Sequence, residues 1–263
     1  VRIVHVLLLL LVSALSGFAA YRAVISKFDI LVPDLIVTVQ GVKGLSGIVY
    51  RPDTATLVGL AGRGEVVEMD LEGRVLRRFQ SGNAALNGIA PAAQPGYALL
   101  VDARGRRVLR LRLSDLSVVE DDAISATGSP PDTAGGGFDS IALAGEALQR
   151  VLVKGRHPAS LVFMPDLQHK VRTTYLPGAA SLSGVISDAA GNLLLLSRES
   201  GLAMLSAGGG HRSAWRPVNV EGAAGVALVP GRGLIVCTDT NPSELLVFSD
   251  LSSWQRIRDA LDS

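Results

Sequence analysis

The tetrapeptide Leu45-Ser46-Gly47-Ile48 returns four times along the chain, as Leu86-Asn87-Gly88-Ile89, Phe138-Asp139-Ser140-Ile141, Leu182-Ser183-Gly184-Val185 and Ala223-Ala224-Gly225-Val226. Its second positions, 46, 87, 139, 183 and 224, lie 41, 52, 44 and 41 residues apart. A repeat of about 40 to 50 residues is the period of a β-propeller blade. Each copy is followed by a second apolar run: Thr56 to Leu60, Tyr97 to Val101, Arg150 to Val153, Asn192 to Leu196 and Gly233 to Cys237. After a polar gap comes a third, at Val66 to Leu71, Val108 to Leu113, Ser160 to Met164, Leu202 to Leu205 and Leu245 to Phe248. Turn residues punctuate them, as in Asp53-Thr54, Glu72-Gly73 and Ala190-Gly191-Asn192. Three or four short antiparallel strands per unit make one blade. The chain therefore reads as all-β, a β-propeller of five blades over residues 27–251.

A sixth blade would need an irregular unit within Phe28 to Val42. The simpler reading makes Leu35 to Gln40 a single strand that completes the last blade beside Leu245 to Phe248, closing the ring and protecting an edge. The 52-residue step holds Ser125 to Gly137, whose Ser, Pro and Gly content reads as a loop. In the tail, residues 252–263, Trp254, Ile257 and Leu261 would share one face of a short helix, with a frayed terminus as the alternative.

Ahead of the repeats, Ile3 to Ala20 is almost wholly apolar, broken only by His5, Ser13 and Ser16 and preceded by Arg2. About 20 apolar residues cross a bilayer as a helix. Residues 1–26 thus read as a transmembrane or signal-anchor helix, or else as a signal peptide removed on export. Both readings send the propeller out of the cytoplasm.

Composition narrows the partners. The 263 residues carry 25 Lys and Arg against 24 Asp and Glu, a net charge of +1. That supplies none of the basic field on which nucleic-acid binding depends, so nucleic acid is excluded as a partner. The single Cys237 makes neither an internal disulfide nor half of a Cys-based zinc site, and its apolar strand marks it as a small buried hydrophobe. His5, His157, His169 and His211 lack metal-ligand spacing, and Ser46 and Ser183 lack a Gly-x-Ser-x-Gly elbow.

Polar residues nevertheless recur at one place in the repeat. In a blade the innermost strand lines the central channel and the next runs antiparallel to it, so the start of the first lies beside the end of the second. This sets Asn87 near Asp102, Asp139 near Lys154, Ser183 near Arg198 and Glu199, and Ala224 near Asp239. The following loops add Arg104, Arg156, His157 and Asn241. All of these converge on one mouth of the channel, where a polar or anionic small molecule would meet charge-assisted hydrogen bonds. The plainer alternative is that these groups pair with one another and plug the channel. Asp102, Asp139 and Asp239, with Asn87 and Glu199, also offer oxygen ligands for Ca2+, although Lys154 beside Asp139 would compete with the ion. That set looks like a thinned version of the calcium site of lactonase-type propellers.

The Leu-Ser-Gly openings at 45 and 182 combine with "IVYRPDTATL" from Ile48, "VEMDLEGRVLRRF" from Val67, "LLVDARGRRVLRL" from Leu99, "LLLLSRES" from Leu193 and "DTNPSELLVF" near the end. In this order and spacing the chain resembles the SdiA-regulated (YjiK-like) family of membrane-anchored propellers in bacterial envelopes. The resemblance covers roughly Gly44 to Ser249 and implies an inner-membrane protein with its propeller in the periplasm, or a secreted one after signal cleavage. It carries no catalytic residues. Relatives often bear Glu at the second position of the second, third and last openings, where this chain has Asn87, Asp139 and Ala224, which implies weaker cation binding here. The expected function is a non-catalytic envelope propeller binding a small polar ligand or an envelope protein at its channel mouth. The alternative is a calcium-dependent lactonase-like or esterase-like hydrolase.

Overall fold

The computed structural model describes residues 30–249 apart from 83–84, 103–106, 124–137, 145–148, 155–157, 167–171, 189, 208–209, 211 and 219. The expected anchor, the loop at 125–137 and the tail at 252–263 lie outside the described residues.

A short strand, β1 (Leu35–Thr38), precedes five antiparallel sheets. The first holds β2 (Gly47–Arg51), β3 (Thr56–Ala61), β4 (Glu65–Met69) and β5 (Val75–Gln80), in sequence order. The second holds β6 (Leu86–Pro91), β7 (Tyr97–Asp102), β8 (Arg107–Arg112) and β9 (Ser117–Ala123). The third runs β10 (Ser140–Ala144), β11 (Gln149–Lys154), β12 (Ser160–Met164) and β13 (Arg172–Tyr175). In the fourth, β14 (Gly184–Ser187), β15 (Leu193–Ser197) and β16 (Gly201–Leu205) are followed by a chain that meets β16 through the bridges Leu202 to Arg216 and Leu205 to Arg212 and through bonds between Met204 and Ser213. The fifth holds β17 (Ala223–Val229), β18 (Gly233–Thr238) and β19 (Glu244–Phe248), and β1 joins it as the outermost strand.

The first strand of each sheet contacts its neighbours on both sides, β2 with β6, β6 with β10, β10 with β14, β14 with β17, and β17 again with β2. The ring closes after five blades, and Leu35–Thr38 supplies the outer strand of the last blade rather than part of a sixth. Leu35 pairs with Val247 and Thr38 with Glu244, so the two ends of the propeller share one sheet. Ser243, fully buried, reinforces this seam: its hydroxyl accepts from the Leu45 amide at 3.1 Å and donates to the Thr240 carbonyl at 3.2 Å.

Five separate apolar clusters fill the five gaps between neighbouring blades. Ile48 and Val67 of blade 1 meet Ala227 and Ile235 of blade 5, and Val49 and Val58 meet Leu86 and Leu100 of blade 2. Val101 packs on Ile141 and Leu152, Ala142 and Val151 on Val185 and Leu195, and Leu194 on Val226 and Val236. Inner strands buried on both faces need apolar residues at every position, which is why they read as continuous runs without alternation. The outer strand β5 is the contrasting case, with Leu76, Arg78 and Gln80 exposed and Val75, Arg77 and Phe79 partly buried between them.

The repeat glycines make the centre of the ring possible. A Cβ at Gly88 would lie 2.5 Å from the Ser140 Cα, and one at Gly225 would lie 2.6 Å from the Gly47 Cα. At Gly47 it would meet Ile89 and the Asn87 carbonyl, and at Gly184 the Gly225 Cα. Five inner strands leave so little room that the third residue of the opening must be nearly side-chain-free where backbone approaches backbone. Ser140 is the one tolerated side chain in this neck, and it is buried.

Candidate functional site at the channel mouth

The residue before each neck position starts the channel wall, and the strand register delivers the expected neighbours. Asp139 donates its amide to Val153, and Ser140 pairs with Val153, setting Asp139 opposite Lys154. Ser183 donates its amide to Leu196 at 2.8 Å and its hydroxyl to the same carbonyl at 3.4 Å. In blades 2 and 5 the register shifts between Leu86 and Gly88 and between Ala223 and Gly225. Asn87 and Ala224 are thus the extra residues of β-bulges, which re-aim a side chain.

For Asn87 that new direction leads across a blade boundary. Its amide nitrogen donates to Asp139 Oδ1 at 3.4 Å. A second link spans blades 4 and 5, where the Arg198 guanidinium lies 2.5 Å from Asp239 Oδ2. Glu199 next to it accepts from the hydroxyl of Ser181, and from that of Ser197 at 3.5 Å. Asp102 is buried at the end of β7, in register with Leu86 on one side and Arg107 on the other. Asn241 is exposed in the loop just beyond Asp239. The Lys154 side chain, Arg104, Arg156 and His157 lie outside the described residues. Among the described residues, no group of three or more His, Cys, Asp or Glu side chains is placed to hold a metal ion, the trio Asp102, Asp139 and Asp239 included.

Beneath the mouth lies Cys237, fully buried, its sulfur beside Gly225 and 4.0 Å from the Leu45 carbonyl. Burial pushes its thiol up to about 12, and the nearby Asp239 carboxylate adds to the rise. A neutral thiol in that setting is no nucleophile.

At the far end of the inner strands the fold holds a polar cluster that sequence reading missed. Arg51, at the end of β2, donates to Glu68 Oε1 at 3.0 Å, to Asp53 Oδ2 at 2.7 Å and to the Leu113 carbonyl of blade 2 at 2.9 Å. Arg77 adds a second guanidinium on Glu68 Oε2 and reaches the Leu113 and Ser114 carbonyls. Thr56 donates to Glu68 Oε1 at 2.7 Å. Burial pushes the Glu68 carboxyl up, but Thr56, Arg77 and Arg51 together outweigh it, and its pKa ends below the ordinary value. Because every acceptor site is answered, this cluster clasps blades 1 and 2. The only sequence signal was charged residues inside otherwise apolar strands, Glu68 in Glu-Val-Val-Glu-Met and Arg51 closing Gly-Ile-Val-Tyr-Arg.

The family model described as SdiA-regulated matches residues 33–215. The chain belongs to the SdiA-regulated family. The match runs from the strand that closes the ring into the fourth blade. No curated protein matches the chain. Among solved structures, this SdiA-regulated propeller is similar to the glutaminyl cyclase of Myxococcus xanthus, with a TM-score of 0.62 at 12% identity over 82% of this chain and 96% of that one. It is also similar to the WD40 repeats of RRP9, with a TM-score of 0.53 at 11% identity over 83% of this chain and 99% of the other. At such identities the likeness carries the propeller fold alone.

Proposed function

We propose that this SdiA-regulated protein is a non-catalytic, membrane-anchored propeller of the bacterial envelope, facing the periplasm, which binds a polar ligand at its channel mouth. The observation that carries the reading is the convergence of Asn87, Asp139, Ser181, Arg198, Glu199 and Asp239 from four blades onto one end of the channel. Arg198 and Asp239 keep 37% and 31% of their side-chain surface open, so a ligand can reach a guanidinium and a carboxylate without opening the core. Both signs of charge suit a zwitterionic or hydrogen-bonding ligand, free or displayed by an envelope protein. The absence of catalysis is supported by the state of the candidate nucleophiles: Cys237 is a buried thiol, and the Ser183 hydroxyl donates to a strand carbonyl.

Two measurements test this. Thermal melting of the full chain with calcium chloride, with chelator and with a panel of amino acids and small carboxylates reads binding to the native state. A saturable rise lost in Arg198→Ala and in Asp139→Ala supports a small ligand. Photocrosslinking in cells from position 241, against position 175 on an outer edge, reads a protein carrying the same chemistry. No shift with any probe, together with no adduct specific to position 241, sinks the binding reading. Turnover of a lactone or ester that disappears in Asp139→Ala sinks the non-catalytic one.

A further inference from the structure

The outermost strand of each blade is an open sheet edge, which β-proteins commonly protect with charge. Arg77 and Arg78 lie on β5, Glu120, Asp121 and Asp122 on β9, and Arg172 on β13. In the fourth blade the uncharged edge of β16 is met by the chain at Arg212 and Arg216. In the fifth, the outer strand β1 reads Leu-Ile-Val-Thr and carries no charge. Its Leu35 is 48% exposed and its Ile36 55%, and Val32 just before it is 41% exposed. Three aliphatic side chains therefore stand in the open at the seam of the ring.

We propose that this edge is a membrane contact: Val32, Leu35 and Ile36 seat the last blade on a lipid surface. The inference rests on the anchor reading above and adds a second point of attachment to it. Three observations favour lipid as the occupant. Leu35 and Ile36 are successive residues of a strand and point to opposite faces, yet both are exposed. A helix or sheet laid on one face would leave the other bare, whereas the edge pressed into a bilayer interface covers both. Next, the chain reaches Val32 from the apolar run Ile3 to Ala20, and the eleven intervening residues 21–31 span at most about 40 Å. They include Arg22 and Lys27, which anionic headgroups attract. Finally, the acid within the patch is already engaged, because Asp34 Oδ2 accepts from both the amide and the hydroxyl of Ser249 at 2.7 Å. Its approach to the headgroups is correspondingly less costly than that of a bare carboxylate.

The contact also fixes how the mouth is presented. Through Val247 and Ile235, Leu35 is in register with Ala227, deeper in the blade than the mouth end of β17 at Ala223. Seating the blade at Leu35 leaves the mouth open to solvent.

The test uses the full chain in vesicles of phosphatidylethanolamine and phosphatidylglycerol, some with nitroxide-bearing acyl chains. An environment-sensitive thiol fluorophore is placed in turn on Val32→Cys, Leu35→Cys, Ile36→Cys and, as the control on a distant outer edge, Tyr175→Cys; buried Cys237 does not compete. The expected result is a blue shift with loss of emission to the nitroxide at 32, 35 and 36, and neither at 175. Water-like emission at the three sites in chains that float with the vesicles overturns the contact while leaving the anchor intact. A blue shift without nitroxide quenching also overturns it, since protein then covers the edge. Chains that fail to float overturn the anchor reading itself, and the contact with it.

Discussion

Arg198 of blade 4 reaches across the blade boundary at the channel mouth to Asp239 of blade 5, guanidinium to carboxylate at 2.5 Å. Both side chains are about one-third open to solvent, so water screens their attraction. A double-mutant cycle on Arg198→Ala and Asp239→Ala, read by urea unfolding, is expected to give a coupling of about 0.2–1 kcal/mol. The melting shift produced by a mouth ligand is expected to vanish in either variant. A coupling well beyond that range would make the pair a structural clasp rather than a binding feature.

The opposite expectation holds for Glu68. Its side chain is 4% exposed and answers Arg51, itself only 10% exposed. Glu68→Gln leaves a buried guanidinium without its buried counter-charge and is expected to cost about 3–5 kcal/mol, toward the lower end because Asp53 still pairs with Arg51. Asp53→Ala, at a side chain 61% exposed, is expected to cost under about 1 kcal/mol. Urea unfolding at neutral pH checks both.

Glu68 also sets an acid limit. Its folded-state pKa lies below the unfolded one, so its stabilisation is fully present above the unfolded value and is lost as pH falls through the folded value. Asp53 and Asp70 are shifted in the same direction, Asp53 chiefly by the Arg51 hydrogen bond, and Asp70 by bonds from Arg74 that outweigh its burial. Stability is expected to fall as pH drops below the ordinary carboxylate range, with a shallower slope in Glu68→Gln. An equal slope in the two proteins would assign the acid limit to other groups.

Gly88→Ala tests the neck. The new methyl would lie 2.5 Å from the Ser140 backbone, which cannot rotate away as a side chain can. A loss of at least about 1–3 kcal/mol is expected, the usual cost of overpacking. Gly210→Ala, where nothing lies within 4 Å, is expected to be near neutral. Comparing the two melting temperatures decides the matter.

Cys237 is expected to resist thiol reagents in the folded protein at neutral pH and to react at once in denaturant. Burial holds its pKa at about 12, so the thiolate that would attack is scarce as well as inaccessible. Rapid labelling of the native chain would mean that the seam between blades 1 and 5 opens readily.

Much of this was legible in the chain. The spacing of Leu45, Leu86, Phe138, Leu182 and Ala223 set the number of blades, because each unit buries its faces only by stacking on the next. The pairing of Leu35 to Thr38 with the last blade was readable too, since the final repeat lacked a fourth strand. So was the placement of Asn87, Asp139, Ser183, Arg198 and Asp239 at one mouth, which follows from antiparallel register alone.

Tertiary structure decided which of those groups meet. Asn87 bonds to Asp139 and Arg198 to Asp239 across blade boundaries, and the bulge that aims Asn87 depends on how tightly the inner strands crowd. The clasp of Arg51, Glu68 and Arg77 on the Leu113 carbonyl joins residues up to 62 positions apart, and no local pattern encodes a partner supplied by the neighbouring blade. Periodicity in a sequence determines what each blade buries, because burial repeats with the strand. Polar pairing between blades depends on directional contacts of a few ångströms, and only the closed ring sets those.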